Sequence, residues 1–154
     1  MMRVVALPAI ALALGAGAPA PAPAKATAEG ASITVTITNL RNADGVVRAC
    51  MTTQEKTFPR CRGVAGAHAA TVAARDGTVT LTFDGVKPGH YAIALLHDEN
   101  ENGKADRALG MMPKEGFGFS RDAKVRMGPP KFSDAVFEMG SEDQSLTIKM
   151  RYML

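Results

Sequence analysis

From Ser32 to Leu40 the chain alternates without a break: Ile33, Val35 and Ile37 fall on one side and Thr34, Thr36 and Thr38 on the other. A side-chain period of two belongs to a strand with one face in a core and one in water, and it excludes a helix over the same residues. The pattern returns twice. Val79, Leu81 and Phe83 oppose Thr78, Thr80 and Thr82, and Leu146, Ile148, Met150 and Tyr152 oppose Ser145, Thr147, Lys149 and Arg151. No helical period is sustained beyond a turn or two. Half-buried ribbons must cover one another, so the expected class is all-β, an antiparallel β-sandwich.

The intervening segments are read from their turn chemistry. Arg41-Asn42-Ala43-Asp44-Gly45 supplies Asp-Gly, suited to positive φ, and Val46 to Thr52 is expected to return as the partner of the first strand in a hairpin. Gln54 to Ala74 reads as an irregular Ala- and Gly-rich loop. After the turn Asp84 to Gly89, His90 to His97 is apolar on both faces, which suits a central, deeply buried strand. Val136 to Met139 is a further strand candidate. Asn100 to Ser133 shows no clear period, yet holds Phe117, Phe119 and Phe132, which need something to pack on. It is expected to be one long ordered loop over an end of the sandwich. Its Gly- and Phe-rich part, 110–132, is a candidate contact surface through Phe117, Phe119 and Arg121.

The N-terminus reads as an export signal. Met1, Met2 and Arg3 precede the uncharged stretch Val4 to Gly17, about 14 residues, short of the ~20 that cross a bilayer as a helix. Ala24-Lys25-Ala26 and Ala26-Thr27-Ala28 offer small residues for cleavage after Ala26 or Ala28. The expected organisation is therefore a signal peptide over 1–28 and a single sandwich domain over 29–154, periplasmic or secreted, with no transmembrane anchor. Removing the leader takes away Arg3 and Lys25 and lowers the formal charge from +3 to about +1. A nearly neutral domain is no match for nucleic acid. Cys50 and Cys61, the two cysteines of the chain, are read in an oxidising compartment as a disulfide, a staple of roughly 3 kcal/mol for a loop this short.

The sharpest local signal is Asp98-Glu99-Asn100-Glu101-Asn102-Gly103-Lys104-Ala105-Asp106. Side-chain oxygens at alternate positions, then glycine, are what a calcium loop needs, with Asp98, Asn100, Asn102, the carbonyl of Lys104 and Asp106 as ligands. Leu109 stands where an EF-hand carries its bidentate glutamate, and a strand precedes the loop, so an EF-hand is excluded. The other reading is a solvated Asx-rich turn. Both stay open, and calcium is the one cofactor in view. His97 beside Asp98, with Ser120, makes a nominal triad, but no G-x-S-x-G elbow accompanies it, and a histidine at a strand end is ordinarily structural. His68 and His90 read as exposed. Enzymatic activity is not expected, and an enzyme centred on His97 is the outsider.

Several motifs in one order carry a resemblance. Lys87-Pro88-Gly89-His90-Tyr91-Ala92-Ile93, then His97-Asp98-Glu99-Asn100-Glu101-Asn102-Gly103-Lys104 with Asp106, then Pro113-Lys114-Glu115-Gly116-Phe117-Gly118-Phe119-Ser120 and Gly128-Pro129-Pro130 resemble the bacterial family called domain of unknown function 2141. The resemblance implies an exported protein of no established activity. The Pro-Gly-x-Tyr turn is also similar to prealbumin-like sandwiches, such as carboxypeptidase regulatory-like and surface-adhesin repeat domains. Some of those adhesin repeats bind calcium through aspartate-rich loops. The Tyr-Arg-Gly-Ser ending of the hydroxyisourate hydrolases is missing: this chain ends Arg151-Tyr152-Met153-Leu154. The expected fold is thus a prealbumin-like or immunoglobulin-like sandwich, and the expected role a non-enzymatic binding or structural module. Its partner would be a protein, a glycan or another envelope component.

Overall fold

The computed structural model describes Gly17 and residues 29–154; the apolar leader and both expected cleavage positions, Ala26 and Ala28, lie outside the described residues. The strands are β1 (Ala31–Leu40), β2 (Val46–Thr52), β3 (His68–Ala73), β4 (Gly77–Val86), β5 (Gly89–Asp98), β6 (Arg107–Ala108), β7 (Met112–Pro113), β8 (Gly116–Phe119), β9 (Phe137–Met139) and β10 (Gln144–Lys149). A 3₁₀ turn at Ser120–Asp122 and a one-turn helix α1 (Phe132–Ala135) complete the order.

Two sheets face each other. One runs β10-β1-β4, the other β3-β2-β5-β8 with β9 also on β5, while β6 and β7 form a small hairpin of their own. Among the described residues every ladder is antiparallel but one: β1 and β10 run parallel, from Ile33 opposite Gln144 to Thr38 opposite Lys149. Ile33, Val35 and Ile37 are wholly buried and meet Val79, Leu81 and Phe83 of β4, Val47, Ala49 and Met51 of β2, and Ile93 and Leu95 of β5 in one core. Each large aliphatic side chain so buried contributes about 1.5–3 kcal/mol, which is why the alternation fixes the faces. The all-β sandwich read from the alternation is the fold.

The expected first hairpin is not formed. β1 pairs with β4 and β10, and β2 with β3 and β5, so the chain crosses between sheets at residues 41–45. Gly45, at φ 64°, lies so close to the end of β5 that an added Cβ would meet the Asp98 carbonyl oxygen at 2.1 Å. The Asp-Gly turn chemistry therefore carries the chain against β5 and across, rather than back along β1. The stretch expected as one loop from Gln54 to Ala74 contains β3, an edge strand on β2 whose alanines carry little strand signal. His68, expected to be exposed, is half-buried, with its ring edge-on to Phe83 and Tyr91 at 6.4 and 6.1 Å; His90 is exposed.

β5 is central, as its apolar character requires. Tyr91, Ile93 and Leu95 enter the main core, and Ala92 and Ala94 face outward into a second apolar cluster with Phe58, Phe119, Ala123, Phe132 and Ala135. The Cys50–Cys61 disulfide is present, with Cα atoms 5.7 Å apart, and the loop it closes delivers Phe58 edge-on to Phe119 and Phe132 at 5.9 and 6.0 Å.

The segment expected as one long loop is therefore partly sheet. Phe117 and Phe119 lie on β8, opposite Leu96 and Ala94, and Phe119 is buried. A residue packed in this way has its apolar surface engaged within the domain, so the partner contact expected of Phe119 does not fit its place. The Gly-Phe-Gly-Phe run is a strand whose inner face must be bare: a Cβ at Gly116 would lie 2.4 Å from the Tyr152 ring, and one at Gly118 would lie 3.0 Å from Ile148. On its far edge β8 bridges the other sheet's strand end, Phe117 N–H donating to Arg151 at 3.0 Å and Arg151 N–H to Phe117 at 2.8 Å.

Candidate functional site

The residues singled out for chemistry gather at one end of the sandwich, where β5 ends. Alternation along β5 sends His97 to the inner face and Asp98 to the outer one. Both are fully buried. His97 has its two ring nitrogens engaged, Nδ1 with the Tyr152 hydroxyl at 2.7 Å and Nε2 with the Asp44 carbonyl at 2.8 Å. Burial raises the pKa of the Tyr152 hydroxyl. Ser120, the third member of the nominal triad, is elsewhere: its hydroxyl donates to the Ala135 carbonyl at 2.5 Å and accepts the Ile93 N–H at 2.9 Å. The three residues do not converge.

Asp98 organises the loop that follows it. Oδ1 accepts the N–H of Asn102 at 3.1 Å, and Oδ2 accepts the N–H of Gly103 at 2.9 Å and the Arg48 Nε–H at 2.5 Å. Burial works against the charge, but the Arg48 guanidinium and the two backbone donors outweigh it and hold the carboxyl below its ordinary pKa. Asn100 Oδ1 takes the Asn102 N–H at 3.2 Å and Asn102 Oδ1 the Lys104 N–H at 2.8 Å, while both carboxamides donate to Asp106 Oδ2 at 2.7 and 2.8 Å. Arg62 reaches over to the Gly103 carbonyl at 2.7 Å. Asp98, Asn100, Asn102 and Asp106 are thus brought together, Lys104 supplying a backbone N–H, and their oxygens meet donors of the protein itself. Among the described residues no three His, Cys, Asp or Glu side chains are grouped as for a metal ion.

Two charged residues that the sequence did not single out complete the end. Arg41 holds Glu99 through paired contacts of 2.8 and 2.6 Å, and Asn42 adds a third at 2.6 Å. The Arg41 guanidinium keeps the Glu99 carboxyl below its usual range and also lies 4.6 Å over the Tyr152 ring. Glu115 is the odd group. Its Oε2 accepts the Asp106 N–H at 3.1 Å, but Oε1, buried, has no hydrogen-bond partner. Burial raises its pKa, and the neighbouring charges of Asp106 and Asp98 raise it further. Glu115 lies nine positions past the motif, in a chain segment without a period, so no spacing rule reaches it. Arg41, Glu99, Asn100, Asp106, Lys114 and Glu115 line a cavity of about 160 Å³.

The family described as "Uncharacterized protein conserved in bacteria (DUF2141)" matches residues 35–147. The chain belongs to that family. No curated protein matches it and no solved structure does. The matched stretch of this DUF2141 domain takes in both facing sheets, the braced loop and Glu115. Arg121, the third expected contact residue, lies outside this end: it is exposed, at φ 59°, beside an open depression of about 650 Å³ along residues 121–134. Among the described residues no helix is long and apolar enough to cross a membrane.

Proposed function

We propose that this domain is an exported, non-enzymatic binding module of the bacterial envelope, which presents to its partner the end of the sandwich built from residues 98–113. The observation that carries the reading is the engagement of His97: buried on all sides, with both ring nitrogens committed to Tyr152 and Asp44, it has no face open to a substrate. The polar residues around it likewise brace loops. Export is supported by the apolar leader and by the cysteine pair, which suits an oxidising compartment. A photoreactive side chain at Glu101, exposed on the loop, is expected to give adducts in intact cells, and one at Lys87, at the opposite end of β5, none. Equal labelling from both positions rejects the reading.

A second reading, calcium at the same loop, is favoured by one observation, the buried and partnerless Oε1 of Glu115 close to Asp106 and Asp98. A bound cation would neutralise that repulsion. Calcium selective for the native state would raise the thermal midpoint over that in chelator. A Glu115→Gln variant would lose the increment. No shift at millimolar calcium removes this reading and leaves the first standing.

A further inference from the structure

We infer that the hairpin β6–β7 is a membrane-docking finger whose apolar tip enters the surface of an anionic phospholipid bilayer; this names the partner of the binding end proposed above and rests on that reading. Among the described residues, six large hydrophobic side chains stand well out in water, and three of them are on this hairpin: Leu109 is 98% exposed, Met111 83% and Met112 43%. Two more, Met153 and Leu154, are tied to the same end, because Arg41 donates both to the Leu154 carbonyl at 2.6 Å and to the Lys114 carbonyl at 3.1 Å.

The turn itself is unusual for its sequence. Leu109 and Gly110 occupy its two central positions at φ 53° and 72°, closed by the Met111 N–H to the Ala108 carbonyl at 3.2 Å. A turn with positive φ at both positions suits Asn-Gly or Gly-Gly, and a leucine there is strained. Folding alone gains nothing from a strained leucine held in water. A surface that receives it does.

The flanks say which surface. Lys104, Arg107 and Lys114 are exposed around the tip, and none takes part in a salt bridge among the described residues. Arg62 stands over Gly103 on the same loop. Against these four cations stand Glu101 and Asp106, the latter already held by two carboxamides. An apolar tip rimmed by unneutralised cations is complementary to acyl chains beneath anionic headgroups. The finger is convex, whereas a peptide or small ligand needs a groove. Three side chains also fall well short of the ~800 Å² per partner that a stable protein interface takes, which argues against a second copy.

The test is co-sedimentation of residues 29–154, which contain all the described strands and both described apolar clusters, with phosphatidylcholine vesicles with or without phosphatidylglycerol. The expected result is partition onto the phosphatidylglycerol vesicles, weaker in about 0.5 M NaCl, and a fall of about ten-fold or more in the Leu109→Gly/Met111→Ser variant. The thermal midpoint of that variant is expected not to fall, since both side chains lie in water. Failure of the wild-type chain to partition overturns the finger, as does equal partition of the variant. A concentration-dependent dimer that the variant abolishes, without vesicle binding, overturns it in favour of a second copy. If vesicles fail while Glu101 still yields protein adducts in cells, the lipid inference falls and the binding-module reading survives.

Discussion

The loop over residues 98–106 and the hairpin over 107–113 are neighbours in the chain and are built in opposite ways. In the loop each expected polar side chain finds a partner in the fold: Asp98 with Arg48 and two backbone donors, Asn100 and Asn102 with Asp106. In the hairpin Leu109 and Met111 find none, and Leu109 sits in a backbone conformation that penalises it. The loop carried the residue types of a binding site and is explained by its own hydrogen bonds. The hairpin carried no motif and is left unexplained by folding. A ligand-like pattern and an interaction surface are therefore different things, and satisfaction of the polar groups tells them apart.

The largest effect that sharpens this contrast is expected at Arg48. Arg48→Met strands the buried Asp98 carboxylate without its cation, and breaking such a pair costs about 3 kcal/mol; urea unfolding midpoints measure it. A loss under 1 kcal/mol would mean that the loop is not braced from Asp98. Next comes Gly116→Ala, whose new Cβ collides with the Tyr152 ring. Overpacking of this kind costs about 1–3 kcal/mol, and the double variant with Tyr152→Ala should recover part of the collision term in a mutant cycle.

Protonation gives a smaller effect with two opposite signs. Asp98 and Glu99 have lowered pKa values in the fold, so their contribution is present above the unfolded values, near 4, and is lost as pH falls through the folded ones. Glu115 is raised, so its contribution is present below its unfolded value and is lost as pH rises through the folded one. Glu115→Gln, which keeps an acceptor for the Asp106 N–H, is therefore expected to raise the chelator midpoint at about pH 7.5 and to leave it unchanged near pH 4. An unchanged midpoint at both would show that Glu115 is not strained by its charge. The smallest effect belongs to the hairpin: Leu109→Gly relieves the positive φ, for a gain of at most about 1 kcal/mol. A loss above about 1 kcal/mol, more than the added freedom of glycine in the unfolded chain, would show that the leucine packs within the fold.

Much of the sandwich was legible because burial has a period. The alternations of Ile33 to Ile37, Val79 to Phe83 and Leu146 to Met150 gave strands and faces, and the two-faced apolarity of Tyr91 to Leu95 gave a central strand. β3 was hidden because His68 to Ala73 is short, alanine-rich and at an edge, where little side chain is buried. β8 was hidden for a different reason. Its glycines are demanded by Tyr152 and Ile148, which approach from the other sheet, so a strand looks like a flexible loop until its neighbours are placed. At the candidate site, Asp98, Asn100, Asn102 and Asp106 were found by spacing, and the structure does unite them. Arg48, Arg41 and Glu115 were not, since no local rule links residues that lie 9 to 58 positions from their partners.

By itself the sequence determined which residues turn inward, because a side chain's face follows from its neighbours along the strand. It determined too that Cys50 and Cys61 lie close enough in the chain to be joined. Pairing was decided only by the tertiary structure. The Asp44-Gly45 turn sends β2 to the opposite sheet, and β10 comes to lie parallel to β1, because contacts distant in sequence select among registers that local pattern leaves equal. The same long-range contacts decided that His97 and Asp98 are engaged within the fold and that Leu109 is left in water.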